Sequence, residues 1–395
     1  MRENFPFFKR RPDIVYLDSA ATSQTYYSVA DDQRDFMLEF KSNAHRSGHS
    51  MGTLIDLEYS KSKIRIGEWL GIKDPCDRVV FNSGTSQGLY DAVQLINNAM
   101  IGGNIYLGID SHHSLTLPFR QLALDAGRWN IIDINLDPTG LLDLDALEQQ
   151  VKQDSAGCKI IAVSAVSNVL GKVNDLDRIK KIAHTYACTT VIDAAQIISK
   201  RNIDYNGFDF VAWSWHKIYG PTGLGTLLID PIWKLYPPVH PGGGSVLNVS
   251  NTGATWTQDA SRFESGTQNL AAIYTLPKLI DWLMANQTEI ESHDRTMASF
   301  VNDHISSEQF IATSQCDSGL ISLIPKFGQV EDYAMMLDAS NIMVRSGKLC
   351  AQPLLTALGT TGMLRISWAC YTTYSEIETV FDKLGGIYAR LSRHV

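Results

Sequence analysis

The chain has 395 residues, of which 44% are hydrophobic and 19% charged, and its formal net charge is -8. That length and balance suit a globular protein of two domains with a large core, and the negative charge argues against a nucleic-acid groove. No apolar run approaches the ~18 residues of a membrane span. The opening stretch Met1 to Arg11 lacks the apolar core and small-residue cleavage site of a signal peptide, so a cytoplasmic protein is expected.

A short apolar run over 13–18 turns at the small residues Ser19, Ala20, Ala21 and Thr22. Periodicity predicts helices over 28–41 and 50–70, the second carrying Leu54, Leu57, Ile64, Ile66 and Trp69, with a polar loop over 43–49 between them. A buried strand at 79–81 leads through a glycine turn at 82–86 into a helix with Leu89, Ala92, Val93 and Ile96 on one face. Strand, glycine turn and hydroxyl-capped helix together make an anion site, because free amides and the helix dipole point at one place. Strands then follow at 105–109, 131–134, 159–163, 189–193, 210–213 and 225–229, with helices at 114–126, 143–152 and 175–187. This alternation describes an α/β fold with a largely parallel sheet covered on both faces.

After Pro231 the pattern loosens into an irregular segment through Asn269, and helical periodicity returns over 271–304. The tail alternates strands (321–324, 342–344, 364–368) with helices (330–339, 375–391), which reads as a smaller α+β domain. The expected division is an N-terminal segment, 1–25, packing with the small domain; a large cofactor-binding domain, 26–279; and a small domain, 280–395.

Ligands in parallel sheets bind at the carboxyl ends of strands. Ser83 to Ser86, Ser111 to His113, Asn168, Asp193 to Gln196 and Ser214 to Lys217 all fall at such ends. Lys217 follows a buried strand and precedes Gly220, Pro221 and Gly223. A lysine there is costly to desolvate unless neutralised, and pyridoxal phosphate enzymes use such an amine to hold the cofactor aldehyde as an imine. Asp193 suits the partner of the cofactor's ring nitrogen, Gln196 its phenolic oxygen, and His112 a ring stacked on its face. Of the six cysteines, five lie in apolar or helix-like settings expected of inert buried thiols. Cys350 differs, lying in the polar, glycine-containing run Val344 to Pro353, beside the cations Arg345 and Lys348.

These stretches, with Tyr16 to Thr22, Asn43 to His49, Ser167 to Gly171, Arg262 to Asn269 and Gly362 to Arg365, resemble the class V aminotransferase family. They resemble in particular its cysteine desulfurase/selenocysteine lyase branch, over nearly the whole chain. The resemblance implies the type I fold of pyridoxal 5'-phosphate enzymes and a substrate that is L-cysteine or L-selenocysteine. Lys217, Cys350 and His112 would be catalytic. Lys217 would hold the cofactor and move the substrate's α-proton, and Cys350 would take sulfur as a persulfide. Thr85, Ser86, Ser214 and His216 would hold the cofactor's phosphate, Asp193, Gln196 and His112 its ring. Thr267 would reach the cofactor of a second subunit, which implies a homodimer. Asn168, Arg365, Arg345, His49 and Ala21 would contact substrate, Arg365 through its carboxylate. The short span from Arg345 to Cys350 implies the group whose persulfide stays sheltered until an acceptor protein arrives. Ser111, where the family usually has Glu, and Lys348-Leu349, where one subgroup has two histidines, are departures. A transaminase, a kynureninase-type hydrolase or a non-enzymatic scaffold on the same fold are the alternatives. The first two would need no nucleophilic Cys350, and a scaffold would need none of the set.

Overall fold

The computed structural model describes residues 1–44, 48–312 and 315–393, so the 45–47 part of the expected polar loop lies outside the described residues. In chain order the strands are β1 (Val15–Tyr16), β2 (Val79–Asn82), β3 (Gly103–Gly108), β4 (Trp129–Ile134) and β5 (Cys158–Ser164). They continue with β6 (Thr189–Asp193), β7 (Phe210–Ser214), β8 (Gly225–Ile229), β9 (Val246–Ser250) and β10 (Gly253–Trp256). The last five are β11 (Phe310–Ala312), β12 (Leu320–Pro325), β13 (Ile342–Met343), β14 (Arg345–Gly347) and β15 (Met363–Ser367).

Seven strands form one sheet in the order β2-β8-β7-β6-β5-β3-β4. Its central strands are apolar on both sides; Ile160, Ile161, Ala162 and Val163 of β5 are all fully buried. One face packs under Leu89, Val93, Ile96, Leu115 and Phe119, the other under Leu147, Ile179, Ile182, Leu276 and Leu279. Such strands hold their place only when helices cover both faces.

The sheet departs from an all-parallel reading at β8, which runs antiparallel to both β2 and β7. Only residues 215–224 join β7 to β8. That is too short for a parallel crossover, which takes a dozen or more residues. The reversal places Gly225, the first residue of β8, opposite both Asn82 and Ser214, at the carboxyl ends of β2 and β7.

A second sheet, antiparallel, has the order β11-β12-β15-β14. β1 pairs with β13 in parallel, so the N-terminal segment is stitched to the chain beside this sheet. The helix expected over 28–41 begins at Tyr27 and widens its winding at Phe36–Phe40. The long helix over 50–70 is present, but Leu54, Leu57 and Ile64 are exposed at 37%, 63% and 43%. Its buried stripe is instead Ile55, Tyr59, Ser62, Lys63, Ile66 and Gly67. Polar Lys63 faces inward because its amine reaches buried Glu264 at 2.9 Å, a partner that hydropathy cannot show. The 271–304 helix is divided, Leu270–Ile273 and Leu276–His304, with Pro277 in the first turn of the second piece. The β9–β10 hairpin, β11, β14 and the helix Gln352–Ala357 were not expected from periodicity; each is too short or too exposed to show it.

Cys188, Cys316 and Cys370 are buried, and burial pushes their thiols up to about 11, 12 and 12 respectively. Cys158 is half-buried and Cys76 is exposed, which corrects the expectation of five buried thiols. Among the described residues no helix is long and apolar enough to cross a membrane.

Candidate active site

At the carboxyl ends of β2, β6 and β7 the helix Thr85–Ala99 opens with its first turn against Ser214. The Ser214 hydroxyl accepts the Thr85 backbone N–H at 2.7 Å and meets the Thr85 hydroxyl at 2.7 Å. Ser86 and Ser114 hydroxyls lie 2.6 Å apart, so two helix starts share one polar pocket. Gly84 has φ of 152°, and a Cβ on Gly225 would sit 2.4 Å from the Gly84 Cα. Only glycine permits this approach of two backbones. His216 lines the same wall; its Nδ1 is 3.2 Å from the Thr22 hydroxyl, and burial holds the ring down at about 4, hence neutral near pH 7. The result is a cradle of hydroxyls and free helix amides suited to a dianionic phosphate.

Beside the cradle, Lys217 follows β7 in a short 3-10 turn, Trp215–Lys217. Its amine makes no hydrogen bond among the described residues. Removal from water pushes that amine below its ordinary range, opposed by Asp193 and reinforced by Arg365 and Lys200. Asp193 ends β6 and is buried; one carboxylate oxygen accepts the Ala195 N–H at 3.0 Å. Burial raises its carboxyl, with Lys217 pulling the other way. The Gln196 amide donates to the Ala20 carbonyl at 2.8 Å, tying this corner to the N-terminal segment. His112 caps the helix His113–Ala126, and its Nδ1 accepts the Ser114 N–H at 3.1 Å. Burial first, then the positive charges of Lys217, His113 and Arg365, hold His112 down at about 3. A neutral ring that accepts at Nδ1 carries its proton on Nε2.

Across the cavity the second sheet contributes Arg345 and Arg365, with Cys350 following β14. Arg365 is buried; it donates to the Asn168 carbonyl at 3.0 Å and to Asp18 at 3.3 Å, while its Nε has no partner among the described residues. Arg345 grips Asp18 at 2.8 Å and 3.1 Å, so its charge is already engaged rather than free beside Cys350. The Asn168 amide donates to the Leu349 carbonyl at 2.8 Å, and its Oδ1 is buried without a partner among the described residues. Leu349 and Cys350 both have φ of 52°. The strained pair is held by the His113 N–H to the Cys350 carbonyl at 2.8 Å and by the Gln352 N–H to the His113 Nε2 at 3.3 Å.

These groups converge on one cavity of about 410 Å³, lined by Ala21, Thr85, Ser86, His112, Asn168, Asp193, Gln196, Ser214, His216, Lys217, Arg345, Cys350 and Arg365. A larger cleft of about 710 Å³ lies elsewhere, between acidic side chains such as Asp175, Asp204 and Glu291, and contains none of them. The aminotransferase class-V family model matches residues 15–380. The chain belongs to the class-V aminotransferase family. Among relatives, a probable cysteine desulfurase of Halalkalibacterium halodurans is 31% identical over 93% of this chain and 91% of its own length. A cysteine desulfurase of Shigella flexneri is 28% identical over 99% and 98%. Of solved structures, the cysteine desulfurase CsdA of Escherichia coli superposes with a TM-score of 0.89 at 28% identity, covering 99% of this chain and 98% of that one. The apo cysteine desulfurase of Thermococcus onnurineus gives 0.90 at 28%, covering 99% and 97%. The fold is accordingly that of type I pyridoxal phosphate enzymes, and this chain sits in the family's cysteine desulfurase branch.

Two residues that the family resemblance singles out stand outside this cavity. His49 is exposed and caps the long helix, its Nδ1 accepting the Gly52 N–H at 3.2 Å. Thr267 lies with Asn43, Ala44, Gly243 and Gly244 around a separate hollow of about 240 Å³. Conversely, Asp18, Ser114, Ala20 and Ala195 were not assigned roles. The last three line the cavity, and Asp18 binds two of its arginines. Ser114 lies two residues beyond His112, and Asp18 lies inside the Tyr16 to Thr22 stretch; both were within reach of the sequence.

Proposed function

We infer that the protein is a pyridoxal 5'-phosphate-dependent cysteine desulfurase. It converts L-cysteine to L-alanine, with the sulfur taken as a persulfide on Cys350 and passed to an acceptor protein. The single observation that carries this reading is that Cys350 lines the same cavity as Lys217, Asp193 and Arg365. A transaminase or a kynureninase-type hydrolase would use the last three without a thiol.

The residues present fit the cofactor. Among the described residues, Lys217 offers an amine with no competing hydrogen bond and Asp193 a buried carboxylate with one protein donor, while Thr85, Ser86, Ser214 and His216 form a cradle suited to phosphate. Pyridoxal phosphate, bound here, supplies an electron sink that lets the C–S bond of cysteine break with its electron pair left on carbon. Asp193 would hold a proton at the ring nitrogen and the neutral His112 would stack on the ring. Lys217, its amine weakened by burial, would take the α-proton and return a proton to carbon. The Cys350 sulfur, its proton released, would form the new S–S bond as the substrate's C–S bond breaks. The carbon that keeps the electron pair takes up one proton in its place, so the sulfur stays on the enzyme as a persulfide and the carbon leaves as alanine. Arg365 would receive the substrate carboxylate, with Asn168, Arg345 and Ala21 around it.

A homodimer completes the proposal. Exposed Thr267 beside its own hollow and the exposed apolar side chains Leu54, Leu57 and Ile64 support it. A cytoplasmic location suits six unpaired cysteines. The test is to give the cofactor-loaded protein L-cysteine and measure alanine. Wild type should form it, whereas Cys350→Ala should keep the cofactor and lose sulfur transfer. Desulfuration by Cys350→Ala as fast as wild type would make Cys350 structural and favour the lyase or transaminase reading.

A further inference from the structure

Arg345 of β14 and Arg365 of β15 are direct cross-strand partners. Like charges facing each other across an antiparallel pair destabilise it, the more so when one guanidinium is buried. Removal from water weakens the Arg365 cation, and the charge of Arg345 adds to that, while Asp18 opposes it.

The compensating group arrives from the other end of the chain. Asp18 bridges to Ser367, the last residue of β15, and the Leu17 carbonyl accepts the Ser367 N–H at 2.8 Å, so the carboxylate of Asp18 is held between the two arginines. One oxygen accepts Arg345 Nε at 3.1 Å and Arg365 at 3.3 Å; the other accepts Arg345 Nε at 3.2 Å and its terminal nitrogen at 2.8 Å. Two cations and one anion leave one positive charge on this wall of the cavity. The Arg365 guanidinium is then fixed from two sides, by Asp18 and by the Asn168 carbonyl.

We propose that Asp18 is a positioning residue that clamps Arg345 and Arg365 into one anion seat, and that its charge makes the seat selective for a single carboxylate. The proposal rests on the reading of Arg365 as the seat of the substrate carboxylate. A seat of net charge plus one neutralises a monocarboxylate amino acid and leaves a second carboxylate without a cationic partner beside the buried Arg365.

The experiment uses the cofactor-loaded protein and two amine-free inhibitors, 3-mercaptopropionate with one carboxylate and mercaptosuccinate with two. In wild type the monocarboxylate should bind more tightly. Asp18→Asn keeps shape and removes the charge. The KM for L-cysteine should then rise about tenfold, the loss of one charge-assisted contact, with a smaller change in kcat. The preference should also shift toward mercaptosuccinate. The double variant Asp18→Asn with Arg345→Gln restores the net charge of the seat and should return the preference toward wild type, which a purely structural loss would not do. If Asp18→Asn is too unstable to assay, Asp18→Glu carries the test: it keeps the charge and should keep the preference for one carboxylate even where KM rises. Arg365→Gln runs beside them. If it leaves KM and both inhibition constants unchanged, the seat itself is misplaced. If it weakens all three while Asp18→Asn leaves KM and the preference as in wild type, or Asp18→Glu loses the preference, the role of Asp18 is rejected and the seat stands.

Discussion

On the proposed function Lys217 works under opposed demands, since a buried cation is costly but an amine must be free to react. The geometry meets both: burial lowers the amine while Asp193 keeps it from being wholly discharged. Lys217→Ala should therefore take up the cofactor without developing the visible absorption of the lysine-linked form, and should make no alanine. An absorption spectrum after loading checks it; an unchanged spectrum would move the linkage to another amine. The histidines carry a pH signature with a definite sign. His112 and His216 titrate in the folded chain at about 3 and 4, below the ordinary range near 6.5. The unfolded chain thus takes up their protons first, and their contribution to stability is full above about 6.5 and falls as the pH drops toward 4. Asp110, buried and raised to about 6, has the opposite sign: the folded chain keeps a proton that the unfolded chain releases above about 4. In thermal unfolding of the cofactor-free protein, His216→Gln should flatten the loss of stability on acidification and Asp110→Asn should steepen it.

At the scale of elements, the site depends on segments that periodicity does not reveal. Strands β2 to β8 and their helices were legible because fully apolar runs alternate with amphipathic ones. The inward face of the 50–70 helix was not, because it is organised by an ion pair. Glu264 accepts from Lys63 at 2.9 Å, from the Tyr59 hydroxyl at 2.6 Å and from the Phe81 N–H at 2.6 Å, joining that helix to β2, the strand that leads into the hydroxyl cradle. Glu264→Ala would strand a buried amine, so denaturant unfolding should show a loss of about 3–5 kcal/mol. A change below about 1 kcal/mol, the range of exposed pairs, would mean that water reaches the pair. The segment after β14 makes a second such case. Cys350 is tied by its own carbonyl, by the Leu349 carbonyl and by the Gln352 N–H to residues outside the segment. On the proposed function, these backbone tethers would hold the persulfide of Cys350 at the mouth of the cavity until an acceptor arrives. Turnover with L-cysteine alone should be slow and should accelerate several-fold with a small cysteine-bearing acceptor protein or a strong thiol reductant. Fast turnover without either would contradict a sheltered persulfide.

For the whole molecule, the site is assembled from distant parts: residues 18–22, the carboxyl ends of the large sheet, and β14 and β15 of the second. The sequence pointed to these parts because glycines, hydroxyls and charged groups cluster at strand ends. It did not reveal that Asp18 would meet Arg345 and Arg365, since that meeting depends on β1 pairing with β13 across more than 300 residues of chain. Thr267 stands apart from its own chain's cavity, and that separation suits a dimer in which it serves the second subunit's site. Sedimentation should then give twice the 43.8 kDa chain mass, and Thr267→Ala should weaken cofactor retention without changing that mass. The most direct measurement of the central claim is the intact and peptide mass of the cofactor-loaded protein after brief exposure to L-cysteine, with no acceptor or reductant present. One added sulfur is expected on the peptide containing Cys350, with an equal amount of alanine released. Alanine released while Cys350 carries no added sulfur would contradict it.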